Sequence, residues 1–101
     1  MISVLASVRV KEGQRPAFIE IFKANVQKVR EEPGCMEYFP AVDIDSGLPV
    51  QHLDADVITI VEKWHSLEAL SDHLATPHML AYREKVKDLV EDLSLKVLQQ
   101  A

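Results

Sequence analysis

The stretch VITIVEKWH, residues 57–65, decides the fold. It is rich in β-branched residues, which favour strands. Its alternation places four side chains on one face: Ile58, Ile60, Glu62 and Trp64. Alternation of this kind indicates a strand with one face against a core, and it predicts a central strand here. A polar, turn-rich connection over residues 43–56, DIDSGLPVQHLDAD, precedes this strand.

Three further strands are predicted on either side of residues 57–65. Residues 2–10, ISVLASVRV, alternate and share one apolar face: Ile2, Val4, Ala6, Val8 and Val10. Residues 35–42, CMEYFPAV, predict a second strand in which Pro40 marks a bend or an edge. Residues 93–99, LSLKVLQ, predict the last strand, with Leu93, Leu95 and Val97 on one side.

Apolar residues at helical spacing predict the helices. Residues 15–32 begin with Pro16 in the first turn, end before Pro33-Gly34, and carry an apolar face: Phe18, Phe22, Val26 and Val29. Ser66 resembles the N-cap of a short helix whose inward stripe is Leu67, Leu70 and Leu74. Thr76-Pro77 breaks this helix and begins another, whose stripe is Met79, Tyr82, Val86, Leu89 and Val90.

The predicted order of elements is βαββαβ, with the second helix broken at Thr76-Pro77. This order indicates an α+β, ferredoxin-like domain over residues 1–101, an antiparallel sheet with its helices on one face. The other face of so small a sheet would be bare, and we assign four apolar side chains to it: Leu5, Val57, Val61 and Leu98. Such a face is too apolar for permanent exposure, so we expect a homodimer that packs sheet against sheet.

Composition excludes several classes of function. The formal net charge of −5 argues against a nucleic-acid partner. No apolar run approaches the length of a membrane span, and the opening MISVLASVRV lacks the basic lead-in of a signal peptide. A single cysteine, Cys35, excludes an internal disulfide and is compatible with the cytoplasm, where we expect the protein to work.

Three markers carry a resemblance to a known family: the Glu32-Pro33-Gly34-Cys35 turn leading to Tyr38, the Glu62-Lys63-Trp64 strand end, and His73 followed by Thr76-Pro77-His78. With them, the chain resembles the antibiotic biosynthesis monooxygenase (ABM) domain family, which forms dimeric α/β barrels. Relatives of this kind include cofactor-free oxygenases of quinols and aromatic polyketides, haem-degrading enzymes, and proteins acting on small signalling molecules. The haem-degrading branch uses an asparagine on the first strand, and ISVLASV has none. Haem binding or degradation is therefore only a third option, behind the two hypotheses given below.

Two histidines five residues apart are the first candidates for chemistry. His73 lies at the margin of the Leu67/Leu70/Leu74 stripe, where its ring could face a cavity and act as a general base. The alternative is a helix-flank histidine bonded to a backbone carbonyl. His78, at a helix start, could orient His73, bind substrate or cap the loop. As a metal pair they are weak, because a proline break separates them, and we predict no metal site.

Polar and aromatic residues near the strand ends complete the candidate site. Glu62 needs a partner if its face is buried, and Arg83 is the natural candidate for an ion pair or for a charge aimed at a ligand. Trp64 and Tyr38 are either core aromatics or the wall of a pocket for an aromatic substrate, with the tyrosine as proton donor. Phe22 and Met79 are core residues that could line the same cavity.

These residues support two hypotheses. In the first, a cofactor-free monooxygenase uses His73 as base, a dry pocket with Trp64 and Tyr38, and Arg83 to stabilise the anion of a small, electron-rich aromatic substrate that reacts with molecular oxygen. Glu62, His78, Phe22 and Met79 would contact the substrate. In the second, the same scaffold is a non-catalytic module that binds or senses a small ligand.

Overall fold

Four antiparallel strands form one sheet in the computed structural model, which describes residues 1–101. Their bounds are β1 (Ile2–Val10), β2 (Cys35–Ala41), β3 (Val57–Trp64) and β4 (Val90–Leu98). The strand order is β2-β3-β1-β4, so β1 and β3 are central and β2 and β4 are the edges. This order and the element sequence confirm the predicted ferredoxin-like α+β fold.

Three helices lie on one face of the sheet: α1 (Arg15–Arg30), α2 (Leu67–Leu74) and α3 (Pro77–Val86). The two predicted caps are formed, since the Ser66 hydroxyl accepts from the Ala69 N–H at 3.1 Å and the Thr76 hydroxyl accepts from the Met79 N–H at 3.3 Å. The break at Thr76-Pro77 is therefore confirmed. No helix combines the length and apolar character that crossing a bilayer would require.

The core lies between the helices and one face of the sheet. The predicted alternation is observed: β3 buries Ile58, Ile60, Glu62 and Trp64, and β1 buries Val4, Ala6, Val8 and Val10. From α1, three side chains complete this layer: Phe18, Phe22 and Val29. The register pairs Ile60 with Ala6 and Glu62 with Val4, so these side chains share the helix side of the sheet.

The predicted leucine stripe of α2 is wrong. Leu67 and Leu74 are exposed, Leu70 is half-buried, and the buried residue of α2 is His73. A stripe read from apolar spacing assumes that only apolar side chains turn inward. Here a carboxylate from the α1–β2 turn provides a buried hydrogen-bond partner, and the histidine takes the inward position.

The last helix is shorter, and the last strand longer, than predicted. The helix α3 ends at Val86, and Leu89 donates its N–H to the Val86 carbonyl in a turn instead of continuing the stripe. Val90 already pairs with Val10, so β4 begins three residues before the predicted Leu93. A strand pairing thus overrides the helical spacing of Leu89 and Val90.

Candidate active site

A cavity of about 120 Å³ opens between the helices and the sheet. An engineered cavity of about 150 Å³ holds benzene, so this volume suits roughly one aromatic ring. Most of its wall is apolar: Ala6, Val8, Phe22, Ile60, Leu74, Met79, Leu93 and Leu95. Five polar or titratable side chains interrupt that wall: Tyr38, Glu62, His73, Tyr82 and Arg83. The cavity is thus apolar with a few convergent polar groups, as small-molecule sites usually are.

The structure brings together six of the eight predicted site residues on the cavity wall: Tyr38, Glu62, His73, Phe22, Met79 and Arg83. Trp64 does not line the cavity; it is fully buried against His73, with ring centroids 4.5 Å apart. Trp64 therefore supports the ring of His73 and does not form the expected wall of the pocket. His78 lines a separate surface depression with Lys28 and Lys85.

A buried carboxylate, Glu32, joins the two histidines. Its Oε2 lies 2.9 Å from His73 Nδ1 and 2.7 Å from His78 Nε2, and its side chain is 8% exposed. Its Oε1 is also 3.1 Å from His73 Nδ1. Distances this short are typical of charge-assisted hydrogen bonds. The break at Thr76-Pro77 that separates the histidines in sequence therefore lets both rings reach one acceptor.

The Glu32 contact fixes the tautomer of His73. A carboxylate only accepts, so Nδ1 carries the proton and a neutral His73 has its lone pair on Nε2. No protein atom hydrogen-bonds Nε2. Every fully buried side-chain nitrogen or oxygen has a hydrogen-bond partner, so Nε2, which has none, is not fully buried. Nε2 is therefore open to the cavity that His73 lines. A ring in this state can accept a proton from a ligand.

Burial keeps His73 neutral. Removal from water lowers the pKa of His73 below its ordinary value of 6.5, and the hydrogen bond to Glu32 opposes this only in part. The ring packs against Trp64 and, edge to face, against Tyr38 with centroids 5.5 Å apart. These contacts hold the imidazole in one orientation, which a general base requires.

Glu62 has a different partner from the one expected. Its Oε1 accepts from the Trp64 indole N–H at 3.0 Å, whereas Arg83 donates to the Leu74 carbonyl at 2.6 Å. The predicted Glu62–Arg83 ion pair is therefore not formed. Burial raises the pKa of Glu62, with the Trp64 hydrogen bond acting in the opposite direction. Arg83 is exposed and closes the end of α2 at the mouth of the cavity.

Two tyrosines also line the cavity, and the Tyr38 hydroxyl donates to the Met79 sulfur at 4.0 Å. Burial raises the pKa of Tyr38 and of Tyr82 well above the ordinary value of 10, with the Glu62 carboxylate adding to the effect. Both hydroxyls consequently remain protonated near neutral pH and can donate a hydrogen bond to a ligand. Tyr82 was not among the sequence candidates, although its place in the α3 stripe pointed it inward.

Sequence reasoning missed Glu32 as a site residue, because nothing in EEPG distinguishes a buried carboxylate from a solvated one. The turn that follows α1 places it. Gly34 has φ of +86°, and its carbonyl accepts from the His65 N–H at 2.8 Å. A Cβ on Gly34 would lie 2.6 Å from the Cβ of Ala69 in α2. The turn and α2 therefore pack closely, which brings Glu32 under His73.

The remaining sequence candidates lie apart from this site. His52 and His65 are exposed, as expected. The side chains of the chain form no group of three or more His, Cys, Asp or Glu arranged to hold a metal ion. Glu32 contacts both His73 and His78 directly at hydrogen-bonding distance. Cys35 is half-buried, and burial beside Glu32 raises the pKa of its thiol to about 11.

Fold and cavity together define a small α+β protein with a largely apolar site between helices and sheet and a histidine on the wall of that site. The family profile described as antibiotic biosynthesis monooxygenase matches residues 1–85, so the chain belongs to this family. It is 40% identical to the "probable quinol monooxygenase YgiN" of Escherichia coli, over 98% of this chain and 97% of that protein.

Solved structures show the same architecture. Rv0793 from Mycobacterium tuberculosis is 25% identical with a TM-score of 0.81, over 99% of this chain and 94% of that one. SO0527 from Shewanella oneidensis is 28% identical with a TM-score of 0.82, over 98% of this chain and 89% of that one. The family and fold indicated by the sequence markers are thereby confirmed.

Proposed function

We propose that the protein is a cofactor-independent monooxygenase that oxidises a small hydroquinone or a related electron-rich aromatic with molecular oxygen. One observation carries this proposal: Glu32 holds Nδ1 of His73 while Nε2 opens into an apolar cavity of about 120 Å³. The likeness to a protein named as a quinol monooxygenase supports the substrate class.

The first step is removal of a proton from the substrate hydroxyl by His73 Nε2. The imidazolium that forms is stabilised by Glu32, whose carboxylate is 2.9 Å from Nδ1. The substrate anion then gives one electron to oxygen, which yields a substrate radical and superoxide. No electron need come from elsewhere, because the substrate supplies it.

Recombination of the two radicals forms a carbon–oxygen bond and a peroxide, which takes the proton held by His73. His73 then removes the remaining hydrogen of that carbon as a proton while the oxygen–oxygen bond breaks. The hydroxide released takes this proton, so one oxygen atom enters the quinone and the other leaves as water. Tyr38 and Tyr82, which line the cavity, then donate hydrogen bonds to the peroxide.

Oxygen uptake by the purified protein with a panel of hydroquinones tests the proposal. We expect turnover that survives prior treatment with a chelator and falls about 10²- to 10⁴-fold in His73→Ala. The exposed His65 gives a matched control, since His65→Ala should leave the rate unchanged. Turnover that persists in His73→Ala would show that the base is assigned to the wrong residue. A ligand bound tightly but never oxidised would favour the alternative of a non-catalytic binding module.

We also propose that the protein works as a cytoplasmic homodimer that packs sheet against sheet. The face opposite the helices carries half-exposed apolar side chains on three strands: Leu5, Phe39 and Leu98. Leu5 and Phe39 both pair with Val61 on β3, so the apolar surface is continuous across the sheet. Size-exclusion chromatography with light scattering should give twice the chain mass. A monomer at micromolar concentration would contradict this.

A further inference from the structure

The substrate cavity is open on the side of β4. Leu93 and Leu95 line it, yet they are 54% and 53% exposed. Their register partners on β1 are Val8 and Ala6, so they face the helix side of the sheet, where the helices leave β4 uncovered. A groove of about 290 Å³ continues from the cavity here and shares Leu93 and Arg83 with it. Oxygen chemistry on a substrate anion needs water excluded, and this opening admits it.

The loop that joins β2 to β3, residues 42–56, has an exposed apolar surface of its own. It presents large apolar side chains to solvent, among them Ile44 at 78%, Leu48 at 63% and Val50 at 84% exposure. A single protomer offers them no cover. The loop is nevertheless anchored, because Asp54 pairs with Arg9 at 2.6 Å and the Asp56 carbonyl accepts from the Val10 N–H at 2.8 Å. Two exposed apolar surfaces in one chain suggest mutual cover between two copies.

We propose that this loop, residues 42–56, closes the partner's cavity by packing on the uncovered helix side of the partner's β4. The inference rests on the proposed sheet-to-sheet dimer. In such a dimer a two-fold axis parallel to the strands sets β2 of one protomer over β4 of the other, because β2 and β4 are opposite edges of the sheet. The loop is fastened beside Val10, and Val10 pairs with Val90 at the start of β4. Loop and β4 start therefore meet at the same end of the dimer.

Reach and charge fit this arrangement. Packed sheets lie about 10 Å apart, and half of the loop, extended at about 3.3 Å per residue, spans about 20 Å. Asp43 and Asp45 flank Ile44 and have no lysine or arginine within 4.0 Å. At the cavity mouth Arg83 has no carboxylate within that distance. An acidic, apolar loop thus matches an apolar groove with an unpaired cation. By symmetry each protomer would close the other's site.

Cross-linking between two differently sized copies of the full chain tests the proposal without any substrate. One copy carries Val50→Cys and the other, lengthened by a tag, carries Leu93→Cys, both in a Cys35→Ala background. After mixing and mild oxidation we expect a disulfide-linked product of the summed mass. The control pairs Val50→Cys with Leu80→Cys, because Leu80 is an exposed residue of α3 that lines neither the cavity nor the groove.

The expected product should form about tenfold faster than in the control, since a docked pair has a high effective concentration. A rate equal to the control, or a disulfide that forms only within one chain carrying both cysteines, would overturn the proposal. The result is separable from the enzymatic function. Cross-linking without hydroquinone oxidation would leave the loop assignment standing, whereas oxidation without cross-linking would remove it and keep the enzyme.

Discussion

Replacing the carboxylate beneath His73 by an amide gives the sharpest prediction. In Glu32→Gln the side chain keeps its shape, but the amide nitrogen donates where the carboxylate only accepted. Glu32 now accepts from His73 Nδ1 at 2.9 Å and from His78 Nε2 at 2.7 Å. One amide oxygen in the Oε2 position could still accept from both rings, but both carboxylate positions lie within 3.1 Å of His73 Nδ1. In either orientation the NH₂ group therefore faces the Nδ1 proton, which favours a change of tautomer. If His73 changes, its Nε2 carries the proton and no base faces the cavity.

The size of the effect follows from the role of the carboxylate. A positioned general base is worth about 10²- to 10⁴-fold in rate, and the amide substitution behind the histidine of a serine-protease triad lowers kcat about 10⁴-fold through the wrong tautomer. We therefore expect kcat for hydroquinone oxidation to fall by about 10²- to 10⁴-fold in Glu32→Gln. Hydrogen bonds to charged groups contribute about 1.5–3 kcal/mol each, so we also expect a destabilisation of about 1–3 kcal/mol.

Nitrogen-15 NMR of the histidine rings separates a tautomer effect from a folding effect. The wild-type spectrum should show His73 protonated at Nδ1, and Glu32→Gln should show protonation at Nε2 with the remaining backbone resonances unchanged. Glu31→Gln is the matched control, because Glu31 is the exposed neighbour in the same turn. The reasoning fails if Glu32→Gln oxidises hydroquinone within about threefold of wild type, or if His73 keeps its Nδ1 proton while activity is lost.

Three further predictions concern pH and the turn. Because burial lowers the pKa of His73 below 6.5, the acid limb of kcat/KM should have its midpoint below pH 6.5, and a limb centred above 7 would assign it to another group. The folded state raises the pKa of Glu62 above 4.5, so ionisation of Glu62 opposes folding as pH rises. Glu62→Gln should therefore stabilise the protein by about 1 kcal/mol at pH 8, or about 4–8 °C in Tm, with no gain at pH 4. Equal gains at both pH values would contradict this sign. Gly34→Ala should lower the free energy of unfolding by about 3 kcal/mol or more, through both the positive φ and the 2.6 Å approach to Ala69. Gly13→Ala, where φ is positive but the space is open, should lower it by about 1 kcal/mol. Equal melting curves for the two variants would refute the close-packing argument.

The strands and the fold were predictable because strict alternation and cap residues are local signals. VITIVEKW forms β3 with the predicted face inward, and Thr76-Pro77 separates two helices as expected. The signal failed where tertiary contacts compete with local spacing. Leu89 and Val90 continue a helical stripe in sequence, but pairing with β1 draws Val90 into a strand. Periodicity cannot weigh those alternatives, since both place the residue against apolar neighbours.

The sequence predicted which residues line the candidate site better than it predicted their hydrogen-bond partners. His73, Tyr38 and Glu62 all reach the cavity. Glu32 could not be found, because its partners are distant in sequence and a glutamate in a turn is normally solvated. Arg83 was the predicted partner of Glu62 because of its charge and its position at the inward edge of the last helix. The structure instead provides the Trp64 indole two residues away, on the same face of the same strand.

Anaerobic mixing of the protein with a hydroquinone tests most directly whether His73 Nε2 is the base. Without oxygen the reaction should stop after proton transfer, so absorbance spectroscopy would follow the bound substrate anion. The wild-type protein should raise the anion fraction of the bound hydroquinone above that of the free hydroquinone at the same pH, and His73→Ala should not. No rise in the wild type, or an equal rise in His73→Ala, would contradict the role assigned to His73.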